Sequence, residues 1–512
     1  MTSSGWIPTV AIVGSGLAGL SMAAQLQKAG IHSFTIFEKS GRVGGTWRDN
    51  TYPGAACDVP SHLYSISFEP KTDWSRVFPT QSEILSYIEQ FAAHHGLGPH
   101  VRLHAEVDHA CFDEGRNRWR LHATDSDEEH WADVLVLACG HLSRPAYPTI
   151  PGLADLEAVQ FHSARWNHNY DLTGKTVAAI GTGASAIQFV PAVAERARQL
   201  YVFQRTPPWV LPKPDRRYSR TERVMFDRFP PLRRLYRGLI YWALEMRWPV
   251  FIQGRAPQVW QKRQALTFLR ESVTDPGLRQ ALTPEYPIGC KRILVSNDYY
   301  PALQRPNVEL VRSPIERATK DTLVTEDGVE RRVDAVIYGT GFQAAASPAP
   351  MVVVGRHGLG LADAWSNGPE AYLGVAVAGF PNLFLLFGPN TNLGHNSILF
   401  MIECQVHYTM RCIDRLRSRR LAYLEPRVDT MRAYNTRLQK RLERRVWNAC
   451  SSWYRGPAGN TTSTWPGSTV EYWLRTRRPD TSAFHSQPRA RPHNPPALGQ
   501  PNESTISLSH TM

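Results

Sequence analysis

Long apolar runs are missing from this chain. A membrane-spanning helix needs about 18 or more apolar residues in a row, and the longest candidate, 374–387, is broken by Gly379-Phe380-Pro381. The N-terminus, MTSSGWIPTV, has no basic segment followed by an apolar one, so no secretory leader is expected. Cysteine is scarce: seven in 512 residues, at positions 57, 111, 139, 290, 404, 412 and 450, none in a CxxC. Such an odd, scattered set is the pattern of reduced thiols used in packing and predicts a cytoplasmic protein. HExxH and Cys/His ligand spacings are absent, so no metal is expected. Acid is the scarcer charge, 45 Asp and Glu against 58 Lys and Arg, for a net charge of +13. Part of the excess sits in RCIDRLRSRR (411–420) and RLQKRLERR (437–445). These runs fit either a solvated helix face or a draw for anionic ligands or a membrane surface. With no recognition module beside them, nucleic acid is not an expected partner.

What the chain does have is glycine placed twice in the same way. An apolar strand run at 9–13 leads into Gly14-Ser15-Gly16-Leu17-Ala18-Gly19, helical spacing over Leu17–Lys28, and a second strand run at 34–38 that ends in Glu38. Strand, GxGxxG, helix, strand and acid in this order form a dinucleotide-binding unit. The helix N-terminus faces a pyrophosphate, and the carboxylate at the strand end accepts from ribose hydroxyls while repelling a 2′-phosphate. The first nucleotide is therefore expected to be FAD or NAD. The pattern returns with a strand at 177–180, Gly181-Thr182-Gly183, a helix over 184–195 and a strand at 200–203, with Ala186 as the third small residue. At the position equivalent to Glu38 stands Arg205, a cation suited to a 2′-phosphate. The second nucleotide is expected to be NADPH. The fold class is α/β, with two Rossmann-like dinucleotide-binding domains.

Residues 41–68 form a long loop of functional character, with Asp58 after the turn-like PGAAC. A helix over 81–95 is capped by Thr80, and strands are predicted at 101–107, 119–123 and 133–138. A linker at 139–151 holds three prolines, and a loop-like His/Arg/Trp run at 161–166 separates the modules. Residues 218–282 are mostly helical. Strands at 307–312 and 334–338 follow Lys291-Arg292, and a strand at 382–387 opens into an amide-rich loop, 388–397, before a helix to about 417. From 479 the chain is Pro/Ser/His/Arg-rich and is read as a disordered tail, so His485 and His493 are not candidate ligands. The expected boundaries are 1–150 for the first part of the first domain and 151–335 for the second domain with its helical insert. Residues 336–478 make the return to the first domain, and 479–512 the tail.

GSGLAG, Glu38, GGTW (44–47), NTYPGAACD (50–58), GTGASA (181–186), FQRT (203–206), Lys291-Arg292 and GTGF (339–342) form a specific set. Together they resemble the flavin-dependent class B monooxygenases, and within them the type I Baeyer–Villiger monooxygenases, over residues 8–478. Of the signature FxGxxxHxxxW, His162 and Trp166 are present, while Leu156 and Ala158 stand at the Phe and Gly positions. The resemblance implies FAD held by Gly14, Gly16, Leu17, Gly19, Glu38, Gly45, Thr46, Trp47, Asp58, Tyr64 and Val107. It implies NADPH held by Gly181, Thr182, Gly183, Ala184, Ser185, Ala186, Gln188, Arg205, Thr206, Lys291 and Arg292. Arg292 and Asp58 are the implied catalytic residues, and His162 to Trp166 a hinge between the nucleotides. The implied reaction takes O2 and a small organic substrate, a ketone, to an ester or lactone through a C4a-peroxyflavin. A permanently charged donor such as arginine suits an anionic oxygen species, and a carboxylate beside it offsets the cost of enclosing the charge. Rival readings are a flavin monooxygenase acting on nitrogen or sulfur, an NADPH oxidase or reductase without oxygenated product, and a flavoprotein without activity. A disulfide reductase, the other large family with paired turns of this kind, is disfavoured by the lack of a CxxC. The oligomeric state is not legible.

Overall fold

Val10–Val13 and Thr176–Ile180, the strands that precede the two glycine turns, each occupy the middle of a five-stranded parallel sheet. The computed structural model describes residues 6–343, 348–456 and 458–489. In the first sheet the strand order is Leu383–Leu385, Val134–Leu137, Val10–Val13, Phe34–Phe37, Val101–Arg102; in the second it is Val308–Val311, Gln199–Phe203, Thr176–Ile180, Ala335–Tyr338, Val159–His162. VLVL at 134–137 and AVIY at 335–338 are buried at every position, as central strands covered on both faces must be. The helices that follow the turns, Leu17–Lys28 and Ala186–Ala194, present buried apolar faces to their sheets. Across the first sheet runs the long helix Ile398–Ser418, with eleven buried residues.

The chain visits the first module, crosses to the second, and returns. Ala335–Tyr338 pairs with Thr176–Ile180 in the second sheet, so the expected boundary at 335 cuts through a strand and moves past Tyr338. The insert forms four helices, Arg220–Arg228, Pro230–Glu245, Ala256–Ser272 and Pro276–Ala281. It is fastened to the first module by Arg237, whose Nη1 donates to the His62 carbonyl at 2.6 Å and the Ser65 hydroxyl at 3.2 Å. No helix among the described residues is long and apolar enough to cross a membrane.

Several expectations need correction. The strand predicted at 101–107 is two: Val101–Arg102 joins the first sheet, His104 turns with φ 57°, and Val107–Asp113 begins a separate antiparallel sheet. Ser126–Ala132 in that sheet has the sequence SDEEHWA, largely solvent-facing, and offers no apolar alternation to read. The run before Trp166 is not a loop, because Val159–His162 is the edge strand of the second sheet. Residues 479–489 are not a disordered tail: Phe484–Pro488 pairs antiparallel with Leu421–Pro426. The rest of the expected tail, with His493, lies outside the described residues. Finally, the cysteines are not all reduced packing thiols, since Cys290 and Cys450 form a disulfide. The other five are free.

Candidate active site

Between the two modules lies a cavity of about 1140 Å³ whose wall is drawn from both glycine turns. The turns share their geometry at the first glycine. Gly14 and Gly181 each have φ +106°, and each donates its N–H to the carbonyl that ends the neighbouring strand, Phe37 at 2.8 Å and Phe203 at 3.0 Å. A Cβ on Gly14 would stand 2.6 Å from the Ala138 oxygen, and one on Gly181 2.5 Å from the Gly339 oxygen, so protein atoms alone demand glycine there. Gly16 and Gly183 differ. A Cβ on Gly16 meets only an ordinary contact at 3.8 Å, and one on Gly183 meets nothing within 4 Å. The room in front of these two is left free by the protein, as a cradle for a closely approaching pyrophosphate requires.

On the first side, Leu17, Gly45, Thr46, Trp47, Tyr64 and Val107 all reach the cavity wall. The Trp47 indole donates to the Tyr64 hydroxyl at 3.0 Å, and burial pushes the Tyr64 phenol well up. Glu38 is buried, with 5% exposure. Its carboxylate accepts from the Ser15 N–H (3.1 Å), the Ser15 hydroxyl (2.7 Å) and the Ser40 N–H (3.0 Å), and pairs with buried Arg48 at 2.9 Å. Burial alone would raise the Glu38 carboxyl; Arg48 and the serine hydrogen bonds outweigh it and hold it below its ordinary value.

The second side carries the opposite charge in an opposite state. Thr182, Ala184, Ser185, Arg205, Thr206 and Lys291 line the wall, and the Thr182 hydroxyl donates to the Thr206 carbonyl at 3.1 Å. Arg205 is exposed, and Lys291 lies over the Tyr286 ring at 4.8 Å. Neither cation has a carboxylate within 4 Å among the described residues. Burial and the charge of Arg205 lower the Lys291 ammonium, so the two cations feel each other. Two unpaired neighbouring cations make a site for a multiply charged anion.

Asp58 and Arg292, 234 positions apart, meet where the two sides join. Arg292 Nε and Nη2 lie 2.8 and 2.6 Å from the same Asp58 oxygen, Oδ2. The Arg292 side chain is 37% exposed and lines the cavity. Asp58 raises the guanidinium above its ordinary value and burial opposes this, leaving a permanent cation at the wall. Local structure fixes both partners. Cys57 N–H donates to the Pro79 carbonyl at 2.9 Å, beside Asp58. Arg292 is held between the disulfide at Cys290 and the strand Leu294–Val295, paired with Val210–Leu211.

Four expected residues do not reach the cavity. Gly19 and Ala186 lie at helix–strand contacts; a Cβ on Gly19 would stand 2.0 Å from the Gly14 oxygen. His162 is fully buried, its Nδ1 accepting from the Ala164 N–H at 3.1 Å, and burial lowers it to about 4. It packs edge-on against Tyr147 and Phe342, both in the wall, so it acts at one remove. Trp166 packs against Phe161 and Phe189 within the second module. Gln188 lines the cavity, but its amide is engaged across the junction. It accepts from the Tyr52 hydroxyl at 2.9 Å and donates to the Ala56 carbonyl at 2.9 Å, bracing the loop that carries Asp58. Sequence reading missed His141, stacked on Phe387 with ring centroids 4.3 Å apart, and Trp453, close after Cys450. No spacing rule points to either. Among the described residues no cluster of three or more His, Cys, Asp and Glu could hold a metal.

Comparison with known proteins places this arrangement. The family described as pyridine nucleotide-disulphide oxidoreductase matches residues 11–224. A Baeyer–Villiger monooxygenase of Pseudomonas aeruginosa is 47% identical over 93% of this chain and 91% of its own length, and one of Streptomyces coelicolor is 44% identical over 93% and 92%. Among solved structures, an oxidized steroid monooxygenase bound to NADP superposes with a TM-score of 0.84 at 30% identity, covering 94% of this chain and 100% of that one. A cyclohexanone monooxygenase from Rhodococcus sp. Phi1 bound to NADP+ gives 0.84 at 26% identity, covering 95% and 100%. With the paired turns, the junctional Asp58–Arg292 pair and relatives at this identity over nearly its whole length, the chain belongs to the Baeyer–Villiger monooxygenase family.

Proposed function

We propose that the protein is an FAD-containing, NADPH- and O2-dependent monooxygenase that inserts one oxygen atom beside a ketone carbonyl, giving an ester or lactone. The observation that carries this reading is the Asp58–Arg292 pair at the junction of an acid-marked and a cation-marked nucleotide turn. FAD fits the Gly14–Gly19 side, where space stands open at Gly16 and Glu38 ends the second strand. NADPH fits the Gly181–Ala186 side, with Arg205 and Lys291 toward its 2′-phosphate. FAD held on the Gly14–Gly19 side would supply the two-electron redox chemistry that links oxidation of NADPH to O2. The cavity, about 1140 Å³, draws its wall from both glycine turns, which suits two nucleotides meeting in it.

The chain's own residues supply charge and place. Arg292 turns its guanidinium to the cavity as a cation that never loses its proton, ready for negative charge that develops on oxygen. Asp58 holds that guanidinium through Nε and Nη2, which leaves Nη1 for a ligand. Trp47 and Tyr64 wall the flavin side, and Gln188 keeps the Asp58 loop against the second module. His162 orients the backbone at Ala164 behind Tyr147, a support for the nucleotide junction in place of a proton-transfer role.

A panel of ketones, sulfides and amines, with NADPH and products identified by mass spectrometry, tests the reading. Esters or lactones from the ketones are expected. Oxygenation of only the sulfides and amines would assign the heteroatom reaction, and hydrogen peroxide without organic product an oxidase.

A further inference from the structure

The helical insert is dressed for a surface that the single chain does not provide. Along the helix Pro230–Glu245 and its end, Leu235, Leu239, Trp242 and Met246 are 61%, 61%, 56% and 78% exposed. Their spacing of four, three and four residues puts them on one face about 16 Å long. The opposite face, with Tyr236, Ile240 and Leu244, already packs on the core. Of the twenty large apolar residues that the described structure exposes, nine fall between 224 and 260, which makes this a patch and not scatter.

Charge decides what the patch meets. Residues 220–263 hold ten Arg and Lys against three acids, a net +7 out of the whole chain's +13. One of the three acids, Glu245, is buried. Arg228, Arg234, Arg255, Lys262 and Arg263 are exposed, with no carboxylate within 4 Å among the described residues. An isologous contact with a second copy would bring this positive region against itself, which opposes association. A convex helix with aliphatic side chains and Trp242 outward, flanked by long cations, matches the boundary between lipid headgroups and acyl chains. We propose that this face docks the protein on the surface of an anionic phospholipid bilayer, without crossing it. The docking face and the cavity share a support. Glu245, on the buried side of the same helix, accepts from the Asn396 amide at 2.8 Å, and Asn396 lines the cavity.

The test is co-sedimentation of the FAD-loaded full chain with vesicles of phosphatidylcholine, alone or mixed with phosphatidylglycerol. Partitioning is expected to be on the order of tenfold or more stronger on the anionic vesicles and to fall in high salt, because such attraction acts within a Debye length. L239S/W242S is expected to lower partitioning by about tenfold or more while NADPH oxidation in solution stays unchanged. R228E/R234E should weaken binding to anionic vesicles only. Wild-type protein that stays in the supernatant, or that binds both vesicles alike, overturns the proposal. So does unchanged binding by L239S/W242S. A wild-type dimer that L239S/W242S converts to monomer would assign the face to a second copy and also overturns it.

Discussion

The two nucleotide modules use one turn and opposite electrostatics. Gly14 and Gly181 share φ +106° and the same donor–acceptor pair, yet the helices begin at different places, Leu17 directly after Gly16 and Ala186 three residues past Gly183. The decisive difference stands at the end of the following strand. Glu38 is buried and paired with Arg48, which also holds Asp49, whereas Arg205 and Lys291 have no carboxylate within 4 Å among the described residues. The two turns are thus alike in backbone at their first glycine and opposite in the charge at the end of the following strand.

Breaking the internal balance should have the largest effect. Glu38→Ala takes the acceptor from the Ser15 and Ser40 N–H groups and leaves Arg48 with Asp49 alone, and is expected to cost about 1–3 kcal/mol of stability, with loss of FAD, read by thermal unfolding and flavin release. At the junction, Arg292→Ala should keep reduction of the flavin by NADPH but lower oxygenation of ketones by about 10²–10³-fold, the effect of removing one preorganised charge-stabilising donor; undiminished ester formation would place the chemistry elsewhere. Against the second module, Arg205→Ala should raise KM for NADPH by roughly 10–100-fold and leave that for NADH unchanged, the size of a charge-assisted hydrogen bond. Equal loss with both nucleotides would end the charge comparison. The glycines sharpen it further. Gly14→Ala should cost roughly 1–3 kcal/mol in folding from its positive φ alone. Gly16→Ala should fold nearly as well and bind FAD poorly, while Gly183→Ala should spare FAD and weaken NADPH. The smallest effect is in pH. Glu38 titrates below its ordinary value, 4.5, so its contribution is complete above that pH and is lost as pH falls below it. Flavin fluorescence should rise on acidification below about pH 4.5 in wild type and respond less in Glu38→Gln.

The local parts of this architecture are legible in the sequence because they are local. Strand, turn and helix around Gly14 and Gly181 lie within 30 residues, and Glu38 and Arg205 follow by a fixed spacing. Asp58 and Arg292 lie 234 residues apart, and only the resemblance joined them before the structure did. Ser126–Ala132 escaped because its side chains face water and carry no apolar period. The edge strand Val159–His162 escaped because one side of an edge needs no partner, and the meander over 315–332 because its strands are only three and four residues long. The hinge expected at His162 and Trp166 rests on spacing, which does not report that His162 is buried behind Tyr147 and Phe342 while Trp166 is half-buried against Phe161 and Phe189 in the second module.

Cys290 and Cys450 enclose 160 positions of chain, and within that span the polypeptide leaves the second sheet after Tyr338 and re-enters the first at Leu383. The only covalent route back to the first sheet is thus bridged by a second bond. A protease cut anywhere in that span leaves one connected molecule, with the Arg292 segment still tethered to the Trp453 loop, and it separates into two fragments only after a reductant is added. A nicked preparation would run at full mass on a non-reducing gel and as two bands on a reducing one.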